Sequence, residues 1–266
     1  MNEVSKVALG DGGYLQARLD PGPDGGLVVV LSNSVLTDLT VWDGQIAALG
    51  KDCSVLRYDQ RGHGCSSVSP GPRTFDDYGA DLVTLLDAFD VESCVFVGLS
   101  MGVPTGLAAF ARAPERFAAF VAVDGVAKSA PGRETFWSER RETARRDGMT
   151  ALAQDTAQRW LPGAAEGSDL MAGLTDMIAA TPVEGFASAS FALQSYDYTS
   201  AVGRLNVPFL AIAGAEDGAM PDAMRGQFAA IPGARFEVIQ AAGHIPNVHC
   251  PAPFNAALLS FLRSLP

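Results

Sequence analysis

The chain has 266 residues, 48% of them apolar and 18% charged, with a formal charge of −11. That length suits one large α/β domain, or a core carrying an insertion, and is enough to bury a sizeable core. Lys and Arg are not clustered, which sets aside nucleic acid and an anionic membrane surface as partners, and no apolar run approaches the ~20 residues a membrane helix needs.

Two early strands, "VSKVAL" and "YLQARL", flank the turn Gly10-Asp11-Gly12-Gly13. "LVVVLS" (27–32) is a continuous apolar run, the pattern of a strand buried on both faces. "LTVWDGQIAALG" follows with helical spacing and stops at Gly50. Next come the strand "SVLRYD" (54–59) and the helix "TFDDYGADLVTLLDAFD". The strand "SCVFVG" (93–98) runs into the helix "MGVPTGLAAFARA", and "FAAFVAVD" (117–124) is a further strand. From about 128 to 203 the rhythm breaks into helical text without a convincing buried strand. "VPFLAIAG" (207–214), "AMRGQFAAI", "RFEVIQ" and "APFNAALLSFLRSL" then restore the alternation. Eight strands alternating with helices imply a mostly parallel sheet covered by helices. The expected organisation is a core of 1–127 and 204–266 with a helical cap, 128–203, inserted before the last two strands. Cys53, Cys65, Cys94 and Cys250 lack C-x-x-C spacing and read as free thiols in a reducing compartment. No basic-then-apolar leader is visible in "MNEVSKVALGDGG", so a cytoplasmic location is expected.

The chemistry centres on "FVGLSMG", where Ser100 stands between Gly98 and Gly102. G-x-S-x-G alone is a weak signal, but here a strand precedes it and a helix follows, the setting of a nucleophile elbow. Unpaired N–H groups at the start of that helix favour developing negative charge. The plainer alternative is a glycine-rich turn with an idle serine. Of the three histidines, His244 follows the strand "RFEVIQ" and so lies at the same sheet end as Ser100. His63 reads as a structural turn residue, and His249 as a helix-entry or surface residue. The acid that orients His244 is expected to be Asp217, since Ser100, Asp217, His244 follows the Ser…Asp…His chain order. Asp124, at the end of another strand, and Glu216 are the rivals; Glu216 adjoins Asp217 but points elsewhere. The Met101 N–H and the Val35 N–H, from the loop after "LVVVLS", are the expected oxyanion donors.

The strings "LSNSVLTDLTVWDGQIAAL", "VLRYDQRGHGCSS", "VGLSMG" and "AQRWLP" resemble the α/β-hydrolases, and among them the 3-oxoadipate enol-lactonases of the β-ketoadipate pathway. The resemblance covers most of the chain and is strongest over 30–105. It implies the α/β-hydrolase fold with a helical cap, and a nucleophile, base and acid at Ser100, His244 and Asp217. Relatives usually carry His-Gly where this chain has Asn33-Ser34, Gly where it has Leu36, Gly-Gly where it has Gly102-Val103, and often an acid at His249. Leu36 and Val103 therefore put bulk near the expected acyl pocket. Trp137 and Trp160 are candidates for its wall, against plain packing of cap helices on the core. Arg133 and Arg159 are candidates for holding a substrate carboxylate, against the plainer role of solvated helix-face cations. The resulting expectation is a serine hydrolase of a small ester or lactone, with a small-molecule substrate and no cofactor or metal; a homo-oligomer is left open. A carboxylesterase, a perhydrolase, a carbon–carbon bond hydrolase and a hydrolase-fold ligand receptor stand as alternatives.

Overall fold

Alternate residues along the central strands separate into two cores, one on each face of a sheet. Val29 and Leu31 of strand β3 (Leu27–Ser32) and Val95, Val97 and Leu99 of β5 (Cys94–Leu99) face one way. Val30 and Phe96 face the other. Period-2 side-chain alternation along strands that are apolar throughout requires cover on both faces. The computed structural model describes residues 4–69 and 71–266, and the cover is there. The first face packs on α1 (Asp43–Leu49) and α11 (Pro251–Leu262), the second on α2 (Phe75–Ala88), α3 (Gly102–Arg112) and α9 (Met220–Phe228).

The remaining strands are β1 (Val4–Ala8), β2 (Tyr14–Asp20), β4 (Cys53–Tyr58), β6 (Phe117–Val123), β7 (Phe209–Gly214) and β8 (Arg235–Ile239). The eight lie in the order β1-β2-β4-β3-β5-β6-β7-β8. From β4 onward every pairing is parallel, while the β1–β2 hairpin adds antiparallel strands at one edge. The chain after β3 turns towards β4, whereas the chain after β4 crosses to β5 on the other side of β3. Such a switch point opens a crevice at the carboxyl ends of the strands, where ligands of open α/β sheets bind. One predicted helix is divided in two. The stretch after β3 begins as a 3₁₀ turn, Leu39–Trp42, because the Asp38 carboxylate accepts from the Thr40 N–H at 2.8 Å, and α1 starts only at Asp43.

Between β6 and β7 run α4 (Arg133–Asp147), α5 (Thr150–Trp160), α6 (Asp169–Ala180), α7 (Val183–Gln194) and the short α8 (Thr199–Val202), and none of this segment joins the sheet. Its apolar side chains Trp137, Leu152, Trp160, Ile178 and Phe186 continue the first core. The two chain passages that connect it to the sheet are stitched together. Ser129 N–H donates to the Tyr196 carbonyl (3.0 Å), Tyr196 N–H to Ser129 Oγ (3.1 Å), and Tyr198 N–H to the Ala127 carbonyl (2.8 Å). Lys128 pairs with Asp197 at 2.8 Å.

Candidate active site

Ser100 follows β5 directly, and the geometry of that turn dictates its neighbours. Its φ of 51° is in the left-handed region, a strained state for a serine. Its N–H donates to the Val123 carbonyl at 2.7 Å, which ties the turn to the end of β6. A Cβ on Gly98 would come within 2.6 Å of the Gly102 backbone, and one on Gly102 within 2.5 Å of the Ser32 carbonyl oxygen. Only glycines let strand, turn and helix approach this closely.

Asp217 lies in the turn after β7 and His244 in the loop after β8, so three strand ends deliver three side chains to one place. His244 Nδ1 donates to Asp217 Oδ2 at 2.7 Å. That leaves Nε2 as the acceptor for the Ser100 hydroxyl, 2.9 Å away. A hydroxyl whose proton can pass to an imidazole held by a carboxylate is equipped to attack a carbonyl carbon. Asp124 is not in that chain. Both its oxygens lie on the Gly214 N–H, at 3.0 and 3.1 Å. It is fully buried, and burial first, then the Asp217 charge, pushes its carboxyl well above the ordinary range. Glu216 donates its N–H to the Ala242 carbonyl (2.8 Å), pinning the Asp217 turn to the His244 loop.

The backbone N–H groups of Val35 and Met101 are buried and donate to no described residue. Orphaned buried amides are rare, and these two flank the serine turn at the switch point. The loop that carries Val35 is stapled from within. Asn33 Nδ2 donates to the Thr37 carbonyl at 2.5 Å, and Gln60 Nε2 to the Asn33 carbonyl at 2.6 Å. Gln60 Oε1 also accepts from Thr105 Oγ at 2.9 Å, so a single amide locks this loop to α3. Sequence reasoning passed over Gln60, because its role depends on two elements distant in the chain. His249, in the short helix α10 (Pro246–His249), accepts the Gly243 N–H on Nδ1 at 3.0 Å, which steadies the residue before His244. His63 is buried in its loop, its Nδ1 3.1 Å from the Arg61 carbonyl, away from Ser100's partners.

Above Ser100 lies a cavity of about 480 Å³ whose roof comes from the inserted helices. Val35, Leu36, Trp137, Trp160 and Asp124 line it together with Ser100, Asp217 and His244. The Trp160 and His244 rings are 5.0 Å apart. Val103 does not reach it. At the start of α3 its side chain turns under Gly125 and packs with Phe96 and Leu107 on the other sheet face, so its bulk has no bearing on the acyl pocket. Leu36 does line the cavity, with φ at 67°. A leucine there costs about 1–2 kcal/mol that a glycine would not. The Leu36→Gly variant is expected to raise the butyrate-to-acetate ratio of kcat/KM on p-nitrophenyl esters by about 10-fold, the scale of one or two admitted methylenes. An unchanged ratio would show that Leu36 does not limit acyl length.

Arg133, Arg140 and Arg159 also line the cavity and surround one aromatic ring. Their guanidinium carbons lie 4.2, 5.5 and 5.9 Å from the Phe136 centroid. None of the three forms an ion pair with a described carboxylate; Arg140 donates to Thr156 Oγ at 2.7 Å. Burial, then the charges of Arg159 and Arg133, push Arg140 down to about 10. Arg140 escaped sequence reasoning because α4 is polar nearly all round and shows no face.

The α/β-hydrolase fold pattern matches residues 28–248. The chain belongs to the α/β-hydrolase family. It is similar to 3-oxoadipate enol-lactonase 2 of Acinetobacter baylyi, 36% identical over 239 residues and covering 88% of each chain. Among solved α/β-hydrolases, the enol-lactonase of Burkholderia xenovorans superposes with a TM-score of 0.89 at 34% identity, covering 98% of this chain and all of that one. A thermophilic esterase of Thermogutta terrifontis, solved with malate bound, superposes with a TM-score of 0.91 at 27% identity, covering 99% of both. This α/β-hydrolase is accordingly an enzyme acting on ester or lactone bonds of small molecules.

Proposed function

We propose that the enzyme opens a small ester or lactone that carries a carboxylate, by an acyl-enzyme route. Ser100 attacks the acyl carbon while His244 takes its proton, and Asp217 holds the imidazole and stabilises its charged form. The Val35 and Met101 amides receive the oxyanion. The leaving oxygen takes the proton back from His244; in an enol-lactone it leaves as an enol. Water, activated by the same histidine, then releases the acid. The observation that carries this reading is the hydrogen-bonded chain Ser100–His244–Asp217 on the floor of a cavity whose roof holds three arginines without acid partners among the described residues. Three unpaired cations around one ring repel one another, and an anionic ligand offsets that cost. The names of the enol-lactonase relatives and the malate-bound esterase agree with an anionic substrate. Residues 128–203 are read as a cap between the two parts of the core. The four free cysteines support a reducing, cytoplasmic setting.

The test is a hydrolysis panel of carboxylate-bearing lactones and enol-lactones, their neutral methyl esters, and p-nitrophenyl acetate. The acids are expected to lead. In the double variant Arg140→Gln/Arg159→Gln, kcat/KM on the preferred acid should fall about 100-fold or more, the scale for a lost charge pair, with only a few-fold change on p-nitrophenyl acetate. Equal turnover of the methyl ester and its acid by the native enzyme would overturn the anionic substrate.

A further inference from the structure

Asp124 is a fully buried carboxyl at the catalytic end of β6 for which the proposed reaction has no use. Its two oxygens share one donor, the Gly214 N–H. Gly214 in turn accepts the Asp217 N–H at 3.2 Å, so Asp124 grips the residue that closes the Asp217 turn. The Asp217 carboxylate receives one hydrogen bond from a described donor, on Oδ2 from His244. Its other oxygen has no such donor, and Asp124 and Asp217 are each hydrogen-bonded to Gly214 and line the floor of the same cavity. A fully buried carboxyl with a single N–H donor, set beside a second carboxylate, cannot be ionised at moderate cost together with its neighbour; one keeps a proton.

We infer that Asp124 is a positioning residue that works as a neutral carboxylic acid. One oxygen accepts the Gly214 N–H, the other donates its proton to Asp217, and Asp217 is thereby aimed at His244. The charge that faces Asp124 is that of Asp217, on the turn after β7. The serine turn brings uncharged neighbours to the adjacent Gly125, the Ser100 carbonyl and Val103. Lys128, at the cavity, is paired with Asp197, and His244 meets the two acids through Asp217. No proton is consumed or made; it is shared along Asp124–Asp217 while Ser100 and His244 carry out the transfer.

The inference rests on the Ser100–His244–Asp217 assignment, so one readout needs no turnover. The infrared spectrum of the native enzyme minus that of Asp124→Asn, taken at neutral and mildly alkaline pH, should contain the C=O band of a protonated carboxylic acid. Absence of the band overturns the proposal, whether or not the protein hydrolyses anything. Stability gives a second readout. A carboxyl that keeps its proton on folding binds more protons folded than unfolded above about pH 4, so native stability declines as pH rises through that range. The Asp124→Asn protein should lack this component of the slope; parallel melting curves across pH count against the proposal. The third readout is the pH profile of kcat/KM on p-nitrophenyl acetate. Asparagine mimics the protonated acid, its carbonyl on Gly214 and its amide on Asp217. The acid limb of Asp124→Asn should therefore coincide with the native one, with the native alkaline decline reduced. An acid limb moved down by about one unit or more would mean that Asp124 is charged at neutral pH, and overturns the idea. Asp124→Ala, which can do neither job, should lose at least about 10-fold relative to Asp124→Asn, roughly what an unmet buried hydrogen bond costs. Equal activity of the two refutes the positioning role. If the alanine protein does not fold, the infrared and asparagine measurements decide.

Discussion

Replacing Ser100 with alanine is expected to lower kcat on any ester or lactone the enzyme accepts by about 10⁴-fold or more, the loss seen when a triad nucleophile is removed. The change deletes one hydroxyl whose hydrogen bond to His244 is 2.9 Å long. The alanine must keep the left-handed φ of 51°, a state alanine tolerates no worse than serine. The variant should therefore melt within a degree or two of the native protein, while a fluorophosphonate that labels the native chain at Ser100 labels nothing. Turnover above a hundredth of native in a well-folded Ser100→Ala sample would remove the acyl-enzyme route and leave a water-attacking mechanism in its place.

Asp217→Asn should cost about 10⁴-fold in kcat, for a reason distinct from lost charge. Asp217 accepts the proton on His244 Nδ1. An asparagine can offer its amide to that nitrogen and so favour the tautomer with its proton on Nε2. In that form Nε2 points a proton at the Ser100 hydroxyl and cannot take one. The penalty should shrink at high pH, where free hydroxide substitutes for the missing base. The comparison that isolates the effect is Asp124→Asn, a chemically identical change on the neighbouring acid, expected to stay within a few-fold of native near neutral pH. If the two asparagine variants trade places in a kcat assay, Asp124 is the acid that serves the histidine.

The sheet was readable from sequence because its central strands are apolar on both faces and short, and no helix of that length could be apolar all round without cover. The serine turn was readable because two glycines flank one polar residue at a strand-to-helix change, and the histidine because His244 stands closer to the end of the last strand than His249 does. Acid choice was harder. Asp124 and Asp217 both follow strands, and only the three-dimensional turn shows one on the imidazole and the other on the Gly214 N–H. Val103 is hard to place from sequence because the second residue of a helix takes its facing from the crossing of α3 over the sheet, which local spacing does not state. Arg140 lies in a helix with charge on every side, so sequence singles out Arg133 and Arg159 as candidate carboxylate holders and not Arg140, which joins them only around the ring of Phe136. His249 hid for another reason: its partner is a backbone N–H six residues earlier, and backbone donors leave no mark in a sequence.

The seam between residues 127–129 and 196–198 has a meaning for how such enzymes diversify. Because the chain leaves the sheet and returns to it at one stitched point, the core meets what lies between as though it were a single closed loop. The entropy of closing a loop grows only slowly with its length. Helices there can be lengthened, shortened or exchanged while β6 and β7 stay in register and the Asp217 turn stays where it is. Trp137, Arg140 and Trp160, which line the cavity from the roof, can then be replaced without disturbing the floor that holds Ser100 and His244. A grafted roof from a distant esterase should fold on this floor provided the Ser129–Tyr196 stitch is kept.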